Sequence, residues 1–195
     1  MITPARRRRI KQVVAQRQKG LVVVLEDIHD PHNAAAVFRS ADGFGVQEVF
    51  LIFNQEKYFN PKRIGKASSA SANKWLDFKT YRSVEACFKQ LKKQGFCIVA
   101  TVAGEKAESI FTARFKEDKI ALVFGNEHRG LSFEAVELAD RKITIPMRGM
   151  VQSLNLSVTA AICLFEVTRQ RLRRISRYKL TARKQRVLQR KFFRR

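Results

Sequence analysis

The run Leu21-Val-Val-Val-Leu25 is apolar at every position, so a strand built from it needs cover on both faces. Ile120 to Phe124 has the same character, and Glu48 to Phe53 and Phe96 to Val102 are nearly as apolar. Helical patterns lie between these runs. Asn33 to Phe44 reads as a helix stopped by Gly43 and Gly45, and Val84 to Gln94 as an amphipathic helix ended by Gly95. Phe133 to Leu138 reads as a short helix and Lys142 to Ile145 as the next strand. In the basic start, Pro4 suits a first helical turn with Thr3 as its cap, and Gln18 to Gly20 ends that helix. Trp75 to Phe78 fits a short strand, and Lys62 to Ala72 a short helix or an extended surface loop. Strand and helix in alternation predict an α/β fold, a mostly parallel sheet flanked by helices on both faces.

Charge divides the chain more sharply than hydropathy does. The net charge is +22, yet residues 21–168 hold 19 basic and 17 acidic side chains. Residues 1–20 carry seven Lys or Arg and residues 169–195 carry thirteen, with no acid in either segment. Such ends repel one another unless a polyanion neutralises them, so a nucleic-acid backbone is the expected partner. The tail also holds Leu188 and Phe192 on one helical face, enough to dock on the domain or to order on RNA. The expected organisation is a basic N-terminal helix over 1–20, a domain over 21–171 and a basic extension over 172–195. The apolar runs are too short to cross a bilayer, and the basic start lacks the apolar core of a secretory signal. Cys87, Cys97 and Cys163 are widely spaced in apolar patterns, which suits reduced thiols in a cytoplasmic protein. His29 and His32 stand close together without a cysteine partner, a poor basis for a metal site.

In a parallel sheet the ligand lies beyond the carboxyl ends of the strands. Three strands here end in polar loops, Glu26–Asn33, Gly125–Ser132 and Pro146–Ser153, and these are predicted to meet. In the first, Asn33 is a good helix cap, and Arg39 follows within an apolar run. An arginine buried there needs a partner, either Asp42 or a substrate phosphate. In the second, Gly125 and Gly130 permit tight turning around Glu127, and Ser132 suits the cap of the next helix. The third breaks at Gly149 and enters a long apolar helix with Ser153, Asn155 and Ser157 at its front. Ser153 reads equally as its cap and as a site residue. No phosphate-loop or dinucleotide fingerprint is present, since the Gly43-x-Gly45 pair follows a helix rather than a strand.

Taken in order, Asp27 to Gly45, Leu122 to Ser132 and Ile145 to Ala160 resemble the three motifs of the SpoU branch of the knotted RNA methyltransferases. The run Met150-Val-Gln-Ser-Leu-Asn155 is the most specific of them. The basic start, with Arg17-Gln18, and the basic end resemble the family members that modify guanosine 18 of tRNA, so residues 3–180 are covered. The resemblance implies S-adenosylmethionine-dependent methylation of a ribose 2'-hydroxyl, a C-terminal trefoil knot, and a homodimer that holds tRNA through its basic ends. It implies cofactor contacts from Thr101, Ala103, Gly104, Gly125, Asn126, Ile145, Met147, Gly149, Ser153 and Leu154. It also implies that Arg39 activates the hydroxyl, that Asn33 orients Arg39, and that Glu127, Ser153 and Asn155 complete the site, with Arg39 of one subunit serving the other's cofactor. The acid-free tail departs from the tRNA enzymes and leaves another tRNA position or ribosomal RNA as the alternative substrate. A non-catalytic RNA-binding protein that keeps the fold is the remaining alternative.

Overall fold

Seven parallel-paired strands form one sheet in a computed structural model that describes residues 2–64, 69–104 and 106–195. In chain order they are β1 (Leu21–Glu26), β2 (Glu48–Ile52), β3 (Asp77–Tyr81), β4 (Cys97–Thr101), β5 (Glu108–Ser109), β6 (Ile120–Phe124) and β7 (Arg141–Thr144). The spatial order is β3-β2-β1-β6-β4-β7-β5, and every pairing is parallel. The helices are α1 (Pro4–Gln16), α2 (Pro31–Gly43), α3 (Val84–Lys93), α4 (Phe133–Leu138), α5 (Leu156–Leu172), α6 (Ile175–Tyr178) and α7 (Ala182–Phe193).

The continuous apolar strands are buried on both sides, as their composition requires. Leu21, Val23 and Leu25 of β1 pack with Val37 and Phe38 of α2 and Ala160 and Leu164 of α5. Val22 and Val24 face the other way, toward Cys87, Phe88 and Leu91 of α3 and Ala135 of α4. Burial lifts the thiols of Cys87 and Cys163 to about 12 and that of Cys97 to about 11, so all three stay protonated at neutral pH.

β7 enters the sheet between β4 and β5, both of which precede it. The Val102 N–H donates to the Ile143 carbonyl at 2.9 Å, and Glu108 pairs with Ile143 from the other side. β7 is thus inserted between two strands that come earlier in the chain, the arrangement that a knotted connection needs and a rare exception to the rule that connections do not pass through loops.

Local readings shift where tertiary packing decides. The strand expected at Trp75–Phe78 lies at Asp77–Tyr81, because Trp75 turns away to stack on Phe192 at 5.1 Å. β5 has only two residues and no apolar signature; its pairing with β7 alone defines it. α2 starts at Pro31, with Asp30 rather than Asn33 as its cap: the Asp30 carboxylate accepts the His32 N–H at 2.8 Å. α5 starts at Leu156, capped by Asn155, so Ser153 is not the cap. Residues 65–68, within the segment read as short helix or loop, lie outside the described residues, and Ala72–Lys74 forms a single 3-10 turn.

The two basic ends meet. Ile10 and Val14 of α1 pack against Leu188 and Phe192 of α7, at the amino ends of the strands. Lys191 and Arg195 reach Asp77 at 2.6 and 2.9 Å. Two arginines of these segments are internal. Arg17 pairs with Asp42 at 2.5 Å and donates to the Val46 carbonyl at 2.8 Å. Arg171 donates to the carbonyls of Lys19 and Gly20 at 3.1 and 3.0 Å under the Tyr178 ring, and its burial pulls its pKa down to about 10. Phe192 is 1% exposed. Phe192→Ala should therefore undock α7 and cost about 3–5 kcal/mol in urea unfolding; a loss below about 1 kcal/mol would mean that α7 docks without it.

Candidate active site

The carboxyl ends of β6, β4 and β7, with Asn33 of the first loop, line a cavity of about 690 Å³, within the usual range for a cofactor-sized ligand. The three polar loops meet there, and Glu127 is where they join. Its carboxylate accepts the His29 N–H at 2.9 Å, the Asp30 N–H at 3.3 Å and the Asn33 side-chain amide at 2.8 Å. Asn33 in turn accepts from Asn155 Nδ2 at 3.2 Å. Asn155 uses its oxygen to cap α5, accepting from the Ser157 N–H at 2.8 Å and the Ser157 hydroxyl at 2.7 Å. One chain of polar contacts therefore runs through all three loops.

The second loop closes on itself. Asn126 and Gly130 exchange backbone hydrogen bonds at 3.0 and 2.9 Å. The Asn126 side chain accepts the N–H groups of His128 and Arg129 and donates to the Asp27 carbonyl at 2.7 Å. Gly125 is required by this closure: a Cβ there would lie 2.3 Å from the carbonyl carbon of Gly130 and from the Leu131 nitrogen. Beneath it, Glu26 accepts the Ser132 N–H at 3.1 Å; burial raises its pKa, against the lowering effect of the Ser132 hydrogen bonds. Asp27 adopts φ 48°, the left-handed region, and its carboxylate gathers the N–H groups of Asn54, Gln55 and Glu56 at 2.7 to 3.2 Å. Sequence reasoning missed Glu26, Asp27 and Glu56 as supports of the site. Two acids directly after an all-apolar strand were the signal that pointed to the first two.

Of the residues named as cofactor contacts, Thr101, Ala103, Gly125, Asn126, Ile145, Met147, Ser153 and Leu154 line the cavity. Gly104 and Gly149 do not; both stand in open space. Val102, Leu131, Gln152, Thr159 and Cys163 also line it without having been anticipated. The Thr101 hydroxyl is turned inward to the Val123 carbonyl at 2.8 Å, so only part of that residue faces a ligand. The apolar walls suit a flat ring, and the loop backbones suit its polar edges. Among the polar residues named as catalytic, Asn33, Glu127, Ser153 and Asn155 line the cavity, and Arg39 does not.

Arg39 is exposed and makes no hydrogen bond or ion pair among the described residues. It is therefore not a buried charge seeking a partner, and Asp42, its expected structural partner, is held by Arg17. Six residues along α2 separate it from Asn33, about 9 Å in rise and about 240° in rotation. The bonds of Asn33 go to Glu127 and Asn155 rather than to Arg39. No helix among the described residues is long and apolar enough to cross a membrane, and none of their His, Cys, Asp and Glu side chains group as metal ligands.

Residues 20–165 match the model of the SpoU rRNA Methylase family. The chain is 41% identical over 174 residues to a tRNA (guanosine(18)-2'-O)-methyltransferase of Thermus thermophilus, covering 88% of this chain and 86% of that one. Its fold superposes on the TrmH/SpoU tRNA modifying enzyme of A. aeolicus with a TM-score of 0.86 at 32% identity, over 96% of this chain and 94% of the other. It also superposes on the SpoU methyltransferase AviRb of Streptomyces viridochromogenes, solved with AdoMet, with a TM-score of 0.70 at 26% identity, over 83% and 61%. The parallel sheet with β7 inserted between earlier strands, the three converging loops and these likenesses agree: the chain belongs to the SpoU methylase family and has its knotted α/β fold.

Proposed function

We propose that this protein is an S-adenosylmethionine-dependent tRNA ribose 2'-O-methyltransferase that modifies guanosine 18. One observation carries the reading: the strand-end loops of a chain 41% identical to such an enzyme converge on one cofactor-sized cavity through the Asn155–Asn33–Glu127 contacts. S-adenosylmethionine, when bound, supplies a methyl group on a positively charged sulfur. Thr101, Gly125, Ile145, Met147 and Leu154 are the residues to hold it. Glu127 carries three donors, so its task is to lock the first loop against the second rather than to take a proton. With Asn33 and Asn155 it fixes the rim against which a ribose is aligned, and alignment is most of what such a transfer needs.

Arg39 supplies charge. A guanidinium keeps its proton and is a poor base, but a fixed cation beside the reacting hydroxyl or its phosphate favours loss of the proton. Since Arg39 lies outside the cavity of its own chain, it is assigned to the cavity of a second copy. The outer face of α5 supports a homodimer. Val158, Phe165 and Leu172 repeat every seven residues and are 45%, 55% and 58% exposed, while the opposite face of the same helix is buried in the core. A helix apolar on both sides calls for a partner on the open one.

The tRNA is assigned to the α1–α7 pair, where Arg183, Arg186 and Arg190 are exposed. Because Arg17 and Arg171 are internal, the charge available to phosphate is smaller than the sequence count.

Labelled methyl donor with unmodified tRNA should give 2'-O-methylguanosine at position 18; no methylated nucleoside from folded protein would refute the reading, and a different one would move the substrate. Arg39→Ala should lower kcat by more than about 100-fold with little change in tRNA affinity; near-normal turnover would remove Arg39 from the site. Mixing Arg39→Ala with Glu127→Ala subunits should restore activity that neither has alone, and no restoration would place Arg39 in its own subunit's site. Replacing Arg183, Arg186 and Arg190 by alanine should flatten the logarithmic salt dependence of tRNA binding by about 0.7–0.9 for every phosphate no longer neutralised; an unchanged slope would place the tRNA elsewhere.

A further inference from the structure

Two imidazole rings at the lip of the cavity have no role in the methyl transfer itself. His29 comes from the first loop and His128 from the second; their ring centroids are 5.6 Å apart at 69°. His128 lines the cavity, and the His29 side chain is 61% exposed. The pair is supported from behind. Glu56 Oε2 stands 3.3 Å from His29 Nδ1, while its Oε1 accepts from Arg129 at 2.8 Å and from Asn126 at 3.3 Å. The hydrogen bond from His29, then the one from Arg129, hold the Glu56 carboxyl below its ordinary range, so it stays charged. The segment that carries Glu56 is tied down by the buried Asp27 carboxylate. His29 is therefore oriented through Nδ1, while its Nε2 makes no bond among the described residues.

The place of these rings matters more than their type. The backbone N–H of His29 donates to Glu127, and Glu127 is part of the cavity wall. In a nucleotide, the base is attached to the carbon next to the one that bears the 2'-hydroxyl. A ribose that offers this hydroxyl to the cavity must leave its base at the lip. Exposed aromatic rings at such a point are what an unstacked base in an RNA loop packs against.

Resting on the reading of this cavity as the methyl-transfer site, we propose that His29 and His128 are the seat of the target nucleobase. The base stacks on the imidazole pair, and Glu56 is the positioning residue that fixes His29. The substrate this seat takes is a purine nucleotide splayed from its neighbours, since a purine offers the larger face.

Steady-state methylation of tRNA by His29→Ala, His128→Ala and the corresponding phenylalanine variants tests this. Alanine at 29 keeps the N–H that Glu127 needs, so only the ring is removed. Each alanine variant should raise KM for tRNA about tenfold, with cofactor affinity and Tm unchanged. The phenylalanine variants, which keep a stacking face, should stay within about threefold of the wild type. Replacing the target guanosine by a pyrimidine should cost the wild type more than it costs the double alanine variant. Alanine variants within about twofold of the wild-type KM, or phenylalanine variants as impaired as alanine, overturn the inference alone. A wild-type protein that methylates no tRNA overturns the reading of the site and this inference with it.

Discussion

The carboxylate of Glu127 is the contact on which the site depends. A parallel sheet delivers its strand ends to one edge but does not fix the loops that leave them. Here one charged acceptor gathers two backbone donors and one amide from the first loop while standing on the second. Hydrogen bonds to a charged group contribute about 1.5–3 kcal/mol each, more than neutral ones. Among the described residues the third loop is joined to the first through the Asn155 amide, at 3.2 Å, and Asn155 holds that position because its oxygen caps α5. The helix cap and the site are thus one arrangement, and a change at either end is felt at the other.

The sheet was legible in the sequence because burial on both faces leaves a mark that few other structures share. β1 and β6 were readable to within a residue, as was α3 before Gly95, whereas α2 begins two residues ahead of the Asn33 that the sequence suggested. Elements set by their surroundings left weaker marks. β3 is an edge strand, so its Asp77-Phe-Lys-Thr-Tyr81 is mostly polar and carries little apolar signal, whereas Trp75 and Leu76, which do carry it, serve other contacts. The convergence of three loops was legible because each followed a strand, two of them buried throughout and β7 at Ile143 alone. The supporting layer was not, since the task of Asp27 is to hold a loop that begins 27 residues later, and nothing local announces that. Arg39 was misjudged for a related reason. Its apolar neighbours suggested burial, but the helix turns it to the open side.

Charge in the sequence also overstated charge at the surface. Arg17 and Arg171 are among the largest fully buried side chains, and each donates to backbone carbonyls of neighbouring segments. Burial dominates the shift of Arg171, outweighing the attraction of Tyr178, Asp118 and Glu117, with none of which it forms an ion pair among the described residues. These two arginines fasten α1 and the end of α5 to the start of the sheet. The basic ends are consequently parts of the fold first, and only their outward side chains remain for a polyanion.

The α1–α7 pair lies at the amino ends of the strands, and the cavity lies at their carboxyl ends. A six-residue strand spans about 20 Å, so the cationic surface and the reacting centre of one chain stand at least a strand length apart. Phosphate contacts at that distance stabilise the bound substrate and the transition state alike, and by themselves lower KM without raising kcat. The selectivity of the transfer must then come from the few groups at the lip, where the loops are held by Glu127 and Asp27. A large, folded RNA suits this division. It is long enough to meet the cationic helices with one part and to offer a single unstacked nucleotide to the cavity with another. A short oligonucleotide that carries the same target base reaches the lip but not the helices, and so forgoes the remote interactions that would hold it there.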